Sequence, residues 1–82
     1  MNYTVYALFS VKFNKIYIGY SSNINARLQS HNSPLCKGWT KRYQPWEIIY
    51  TGIYEDKSEA MQREKQLKSA KGREFIKGLI SG

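Results

Sequence analysis

Eighty-two residues leave room for a single domain spanning 1–82, with a thin core that buries only about 60–65% of the unfolded chain's surface. One cysteine, Cys36, excludes a disulfide framework and a multi-thiolate zinc site, while the lack of a cleavable leader or of an apolar run of about 18 residues points to a cytoplasmic protein without a membrane span. The net charge of +7 is unevenly spread: residues 1–46 carry six Lys/Arg and no carboxylate, and residues 47–82 carry seven against six.

Tyr3 to Ser10 is rich in β-formers and predicts a first strand. Lys12 to Lys15, with Asn14 as turn former, leads into a second strand, Ile16 to Tyr20, antiparallel to the first. If Tyr6 lies opposite Tyr17, both phenols share a face; a slip of one residue separates them. Ser21-Ser22-Asn23 offers N-caps to a helix from Ile24 to Ser30. Ile24 and Leu28 define its apolar stripe, and Arg27 and His31 fall on the edge of that stripe, facing the sheet. Residues 32–45 (NSPLCKGWTKRYQP) have loop chemistry, with Pro34, Gly38 and Pro45 as breakers. Trp46 to Tyr54 reads as a third strand. Asp56 with Glu59 makes a capping-box-like start to a second helix that reaches about Ala70 before Gly72 stops it. Phe75, Ile76, Leu79 and Ile80 predict a short final helix packed back on the core. The order is ββαβαα, an α+β fold with a small antiparallel sheet covered by helices.

Glu64 is the most informative acidic position. It lies four residues after Ala60, three after Met61 and three before Leu67, within the apolar face of the second helix. A carboxylate there loses hydration unless it meets a metal ion or a cation, with Arg27 as one candidate partner. Tyr6 and Tyr17 are candidates for proton chemistry if nearby positive charge stabilises a phenolate, and their half of the chain holds no acid. Against this, strand tyrosines commonly serve packing. His31 is the sole histidine, which excludes a multi-histidine zinc or HNH-type site; its simplest role is a cation at a helix C-terminus.

The cationic half suits a polyanion, because each phosphate contact releases counterions. Within it, Lys37, Trp39, Lys41, Arg42 and Tyr43 interleave cations with aromatics, a pattern for backbone neutralisation plus base stacking. The competing reading has Trp39 and Tyr43 closing the core while the cations are solvated. Among the later cations, Lys68 and Arg73 are the better candidates for contact with nucleic acid.

Taken together these residues resemble the GIY-YIG nuclease superfamily. Thr4-Val5-Tyr6 stands where that family has its GIY strand, and Tyr17-Ile18-Gly19 matches YIG outright. YIGYSSNINARLQSHN is similar to the family's strand–loop–helix block and brings in Arg27 and His31; Glu64, in AMQREKQLK, stands at the position of the metal-binding glutamate. The resemblance covers Tyr3 to about Arg73 and is strongest to small single-domain members, with GWTKR…PW and REKQLK…GRE typical of them.

The resemblance implies a three-stranded antiparallel sheet flanked by helices and hydrolysis of phosphodiester bonds. It assigns Tyr6 and Tyr17 to the attacking water, Arg27 to the phosphoryl oxygens, His31 to contact or proton transfer, and Glu64 to one Mg²⁺ or Mn²⁺. A lone carboxylate among cations accords with one metal ion rather than two. The expected substrate is DNA ahead of RNA, branched or single-stranded forms included, with a protein partner supplying specificity. The chain departs from the family at Thr4 and Val5, at Tyr20 where excision-repair members carry lysine, and in having no asparagine after Glu64. Two principal rivals stand beside this reading, with a structural protein of a ribonucleoprotein, supported by charge alone, behind them. One is a nucleic-acid-binding module that does not cleave. The other is a PD-(D/E)xK-like nuclease built on Glu47, Glu55 and Lys57.

Overall fold

The structure, a computed structural model, describes residues 2–33 and 38–81, the side chains of Trp39 and Ser81 excepted. Pro34, Cys36 and Lys37, singled out in the sequence, lie outside the described residues. In chain order the elements are β1 (Tyr3–Ser10), β2 (Lys15–Ser21), α1 (Ile24–Asn32), a 3₁₀ turn (Trp39–Tyr43), β3 (Glu47–Tyr54), α2 (Lys57–Lys68) and α3 (Ala70–Ser81). The expected ββαβαα order and three-stranded antiparallel sheet are both present, with β1 in the middle of the order β2-β1-β3. Asn14 turns the β1–β2 connection at a φ of 54°, a left-handed conformation that asparagine tolerates better than most residues.

A middle strand between two edge strands needs apolar side chains on both faces, and β1 supplies them. Val5 and Ala7, with Ile18 of β2, face Ala60 and Leu67 of α2 and Ile76 of α3. Tyr6 and Leu8 point the other way, into a second cluster with Trp46, edged by Tyr17, Ile24, Leu28 and Tyr43. The four residues from Val5 to Leu8 are at most 2% exposed. By the transfer scale, each large side chain buried in this way contributes on the order of 1.5–3 kcal/mol.

The register differs from the pairing considered for the tyrosines. Tyr6 lies opposite Gly19, and Tyr17 lies opposite Leu8. The displacement is two residues, so the phenols keep a common face while ceasing to be direct partners. The reason is steric. A Cβ on Gly19 would stand 2.9 Å from the Tyr6 hydroxyl oxygen and 3.2 Å from Cε1 of Tyr17. The Tyr6 ring lies over the space that a side chain at position 19 would fill.

Two other expectations change at the C-terminal helices. α2 ends at Lys68 with Ser69 as its C-cap, and Gly72 lies inside α3 rather than stopping the helix before it. Ser69 serves both helices: its backbone N–H donates to the Gln66 carbonyl, and its hydroxyl accepts from the Gly72 N–H at 3.2 Å as the N-cap of α3. A Cβ on Gly72 would come within 2.2 Å of the Gln66 carbonyl oxygen and 2.4 Å of the Leu67 Cα, so glycine is what lets the helices turn on one residue. The final helix also starts earlier than expected and runs for 12 residues.

These contacts make glycine substitutions informative. Gly72→Ala drives a methyl group into backbone and should cost about 1–3 kcal/mol, as overpacking generally does. Gly78→Ala, where a Cβ meets nothing within 4 Å, should instead stabilise by up to about 1 kcal/mol through helix propensity. Guanidinium unfolding of both variants checks the opposite signs.

Candidate active site

Three rings from three elements meet on the α1 side of the sheet. Tyr6 comes from the centre of β1, Tyr17 from β2 and His31 from the last turn of α1. The Tyr6 hydroxyl lies 3.4 Å from Nε2 of His31, a long contact. Ring centres are 6.3 Å apart for Tyr6–Tyr17 and 4.7 Å for Tyr17–His31.

His31 is 9% exposed and held from both ends of its helix. At the start of α1, Asn23 Oδ1 accepts from the Ala26 N–H at 3.1 Å, as the sequence led us to expect. At the end, the Gln44 side-chain amide donates to the carbonyls of His31 and Ser33, both at 2.7 Å. Asn32 binds Trp46 with both halves of its carboxamide: Oδ1 accepts from the Trp46 N–H at 2.6 Å, and Nδ2 donates to the Trp46 carbonyl at 3.1 Å. Trp46 is buried, donates from its indole to the Thr40 carbonyl at 2.8 Å, and stands edge-on to Tyr17. Sequence reasoning gave none of Asn32, Gln44 and Trp46 a part in the site. The only local signal was Gln44 beside Pro45-Trp46, with Asn32 far away at the end of α1, uninterpretable without knowing which helix end the later segment meets.

Electrostatics changes two expectations. Burial pushes the Tyr6 phenol up to about 12, with smaller upward contributions from Tyr17 and Glu64 and an opposing one from Arg27. The cation-rich half of the chain therefore does not yield a phenolate at position 6, because desolvation outweighs the guanidinium. For His31, burial first and Arg27 second push the imidazole below its ordinary 6.5. It is neutral at pH 7 and is not the helix-end cation the sequence suggested.

Arg27 is exposed, contrary to the expectation that it faces the sheet. α1 covers the sheet with Ile24, Leu28 and His31, which share one face, and Arg27 falls just outside that arc. Its charge still acts on both Tyr6 and His31. Glu64 lies at the margin of the apolar face of α2: Ala60 and Leu67 are buried and Met61 is 40% exposed. The Glu64 side chain is 17% exposed and pairs with Lys68 at 3.2 Å, not with Arg27. Arg73 Nε donates to the Lys68 carbonyl at 3.4 Å.

The remaining candidates are more dispersed. Lys41 and Arg42 are exposed on the 3₁₀ turn, Lys37 lies outside the described residues, and the side chain of Trp39 is likewise outside them. Tyr43 packs edge-on against Phe13 with Lys15 over its ring, which supports the core-closing reading for that residue. Glu47 and Glu55 sit at opposite ends of β3, roughly 25 Å apart at the rise of a strand, so the PD-(D/E)xK rival has no convergent acids.

A neutral, buried imidazole has a thermodynamic signature. Since the folded pKa of His31 lies below 6.5, the unfolded chain binds the proton more readily. The stability carried by this group is complete above 6.5 and declines as the pH falls from there to the folded value. NMR titration of His31 should give a midpoint below 6.5, and Arg27→Gln should raise it. Asn32→Ala, which strips partners from the Trp46 backbone, should cost about 1–3 kcal/mol in chemical denaturation.

Comparison with known proteins places the fold. The family model of the GIY-YIG catalytic domain matches residues 2–77. A UPF0213 protein of Staphylococcus haemolyticus is 35% identical over 66 residues, 80% of each chain, and a UPF0213 protein of Staphylococcus aureus is 39% identical over 54 residues, 66% of each. The solution NMR structure of the UPF0213 protein BH0048 from Bacillus halodurans matches with a TM-score of 0.57 at 27% identity, covering 96% of this chain and 85% of that one. With YIG at the tip of the phenol pair and the match running nearly end to end, the chain belongs to the GIY-YIG family of nuclease-type domains.

Proposed function

We propose that this protein is a metal-dependent endonuclease that hydrolyses phosphodiester bonds, acting on DNA ahead of RNA and on branched or single-stranded forms in particular. The observation that carries this reading is the meeting of Tyr6, Tyr17 and His31 on one side of the sheet, with the charges of Arg27 and Glu64 near enough to influence the Tyr6 hydroxyl.

Each residue then has a chemical task. Tyr17, less buried than Tyr6, orients the attacking water. The Tyr6 hydroxyl accepts a hydrogen bond from that water and donates its own proton toward His31 Nε2; with its pKa near 12 it relays a proton rather than standing as a phenolate. Neutral His31 is the acceptor at the end of that relay. Arg27, exposed at the rim, meets the non-bridging phosphoryl oxygens, where a fixed cation is most effective. Lys68, which pairs with Glu64 at 3.2 Å, would add positive charge beside the carboxylate.

Glu64 is the residue that would hold one Mg²⁺ or Mn²⁺. A carboxylate is a hard oxygen donor of the kind such a cation takes; among the described residues no three His, Cys, Asp or Glu side chains cluster, so water and phosphate oxygens would have to complete the shell. Such an ion, when bound, supplies positive charge to the leaving oxygen. With so small a basic surface, a protein partner supplying substrate specificity belongs to this reading.

Cleavage of duplex, single-stranded and branched DNA, and of RNA, with Mg²⁺ or Mn²⁺ tests the proposal. Glu64→Ala and Tyr6→Phe should each lower the rate by about 10²–10⁴, the range for losing charge stabilisation or proton transfer. The single-turnover rate should fall on the acid side of 6.5, as His31 takes up a proton. Metal-independent binding with no cutting of any substrate would establish a binding module instead.

A further inference from the structure

α2 carries two adjacent ionisable residues that the fold sends to different surroundings. Glu64 acts on Tyr6, while Arg63 leans over β3 and the start of α3. Tyr50, which Arg63 touches, pairs with Ala7 and so lies on the sheet face opposite Tyr6. Arg63 is half-buried. Its Nη1 donates to Gln66 Oε1 at 3.2 Å and its Nη2 to the Tyr50 hydroxyl at 3.4 Å; the guanidinium stands 5.8 Å from the Tyr50 ring centre and 6.0 Å from that of Phe75. Among the described residues no carboxylate pairs with it. Neutral oxygens and ring faces fix the direction of the guanidinium but leave its charge uncompensated.

That charge opens onto a trough of about 640 Å³ between α2 and the start of α3, to which Lys65 and Lys71 add positive charge and Gln62 and Gln66 add amides. Phe75, 47% exposed, supplies an aromatic wall. An adjoining hollow shares Arg63 and ends at Glu59, which repels anions and confines them to the Lys71 end. Cations beside an accessible ring, lined by amides, match a ligand with phosphates and free base faces. Paired bases keep their faces within the stack, so duplex has nothing to offer Phe75.

We propose that this trough is a second nucleic-acid contact that holds an unpaired strand, with phosphates against Arg63, Lys65 and Lys71 and a base against Phe75. The binding itself rests on the nuclease reading only in taking the polyanion to be nucleic acid; its relation to a bond to be cut rests also on the role proposed for Glu64. Since α2 is about 10–12 Å across, a strand held here passes around one helix to reach Glu64. The arrangement favours a substrate with a single-stranded branch next to the bond to be cut.

The test is binding without divalent metal, using the full chain and an oligothymidylate of about eight nucleotides, within the roughly 4–16-nucleotide range of single-strand grooves. Amide shifts of the isotope-labelled wild-type protein should move at Gln62, Gln66, Lys71 and Gly72. Fluorescence anisotropy should show Arg63→Gln and Phe75→Leu weakening single-strand binding about fivefold or more, and exposed Lys71→Gln about twofold or more, with duplex affinity changed less than about twofold. Shifts confined to the face of Tyr6, Tyr17 and His31, no binding at all, or equal losses for duplex and single strand would each overturn the proposal. Because no metal is present, loss of cleavage leaves it untouched. Conversely, unaltered binding in these variants, beside cleavage that depends on Glu64, removes the trough and leaves the nuclease.

Discussion

The contact between the Tyr6 ring and the bare backbone of Gly19 governs much of this molecule. β1 is the middle strand, and its residue 6 is almost fully buried although it carries a polar hydroxyl. A side chain at position 19 would collide with that ring and press on Tyr17 as well. With glycine there, the phenol lies flat enough to be enclosed and still reaches an imidazole. Burial then does two things at once: it anchors the sheet to α1, and it raises the cost of ionising the hydroxyl. The same enclosure makes Tyr6 a rigid structural ring and a proton-holding group.

Enclosing His31 has a parallel logic. A helix C-terminus ordinarily stabilises a cationic side chain, by up to about 1 kcal/mol at an exposed site. Here the last carbonyls of α1 are occupied by the Gln44 amide, and the ring is turned into an aromatic cluster near an arginine. Desolvation and like charge prevail over the helix dipole, and the imidazole stays neutral. Asn32 and Trp46 tie the segment before β3 to the same helix end, so the 3₁₀ turn and α1 brace the ring together.

Much of the fold could be read from the residues because periodicity speaks directly. Richness in β-formers delimited β1 to the residue, and the Asn23 and Asp56 caps mark where α1 and α2 begin. Tyr6, Tyr17, Arg27, His31 and Glu64 entered as a set through the resemblance to the GIY-YIG block; of these the structure brings the rings of Tyr6, Tyr17 and His31 together and leaves Arg27 exposed. What escaped depends on contacts distant in sequence. An alternating pattern encodes which face a residue occupies but not which partner it meets, and a two-residue shift preserves every face; hence Tyr6 opposite Gly19 was not foreseeable. Gly72 carries the same symbol whether it ends a helix or lets two helices touch. The neutral state of His31 depends on the enclosure of its ring, which local spacing does not contain. The trough around Arg63 went unread because Tyr50, Arg63 and Phe75 come from three separate elements.

The single-residue joint at Ser69 has a consequence for how this carboxylate can evolve and move. Many domains carry acidic side chains on loops that adapt independently of their surroundings. Glu64 instead sits one turn before a corner where α2 and α3 abut through Gly72, with Ile76 locked under the sheet. Sliding or rotating the stretch of backbone that carries it means displacing the terminal helix from its seat. Its placement is thus inherited from packing on the remote side of the molecule, and lengthening that joint by even one residue would retune the cleft without altering a single group inside it.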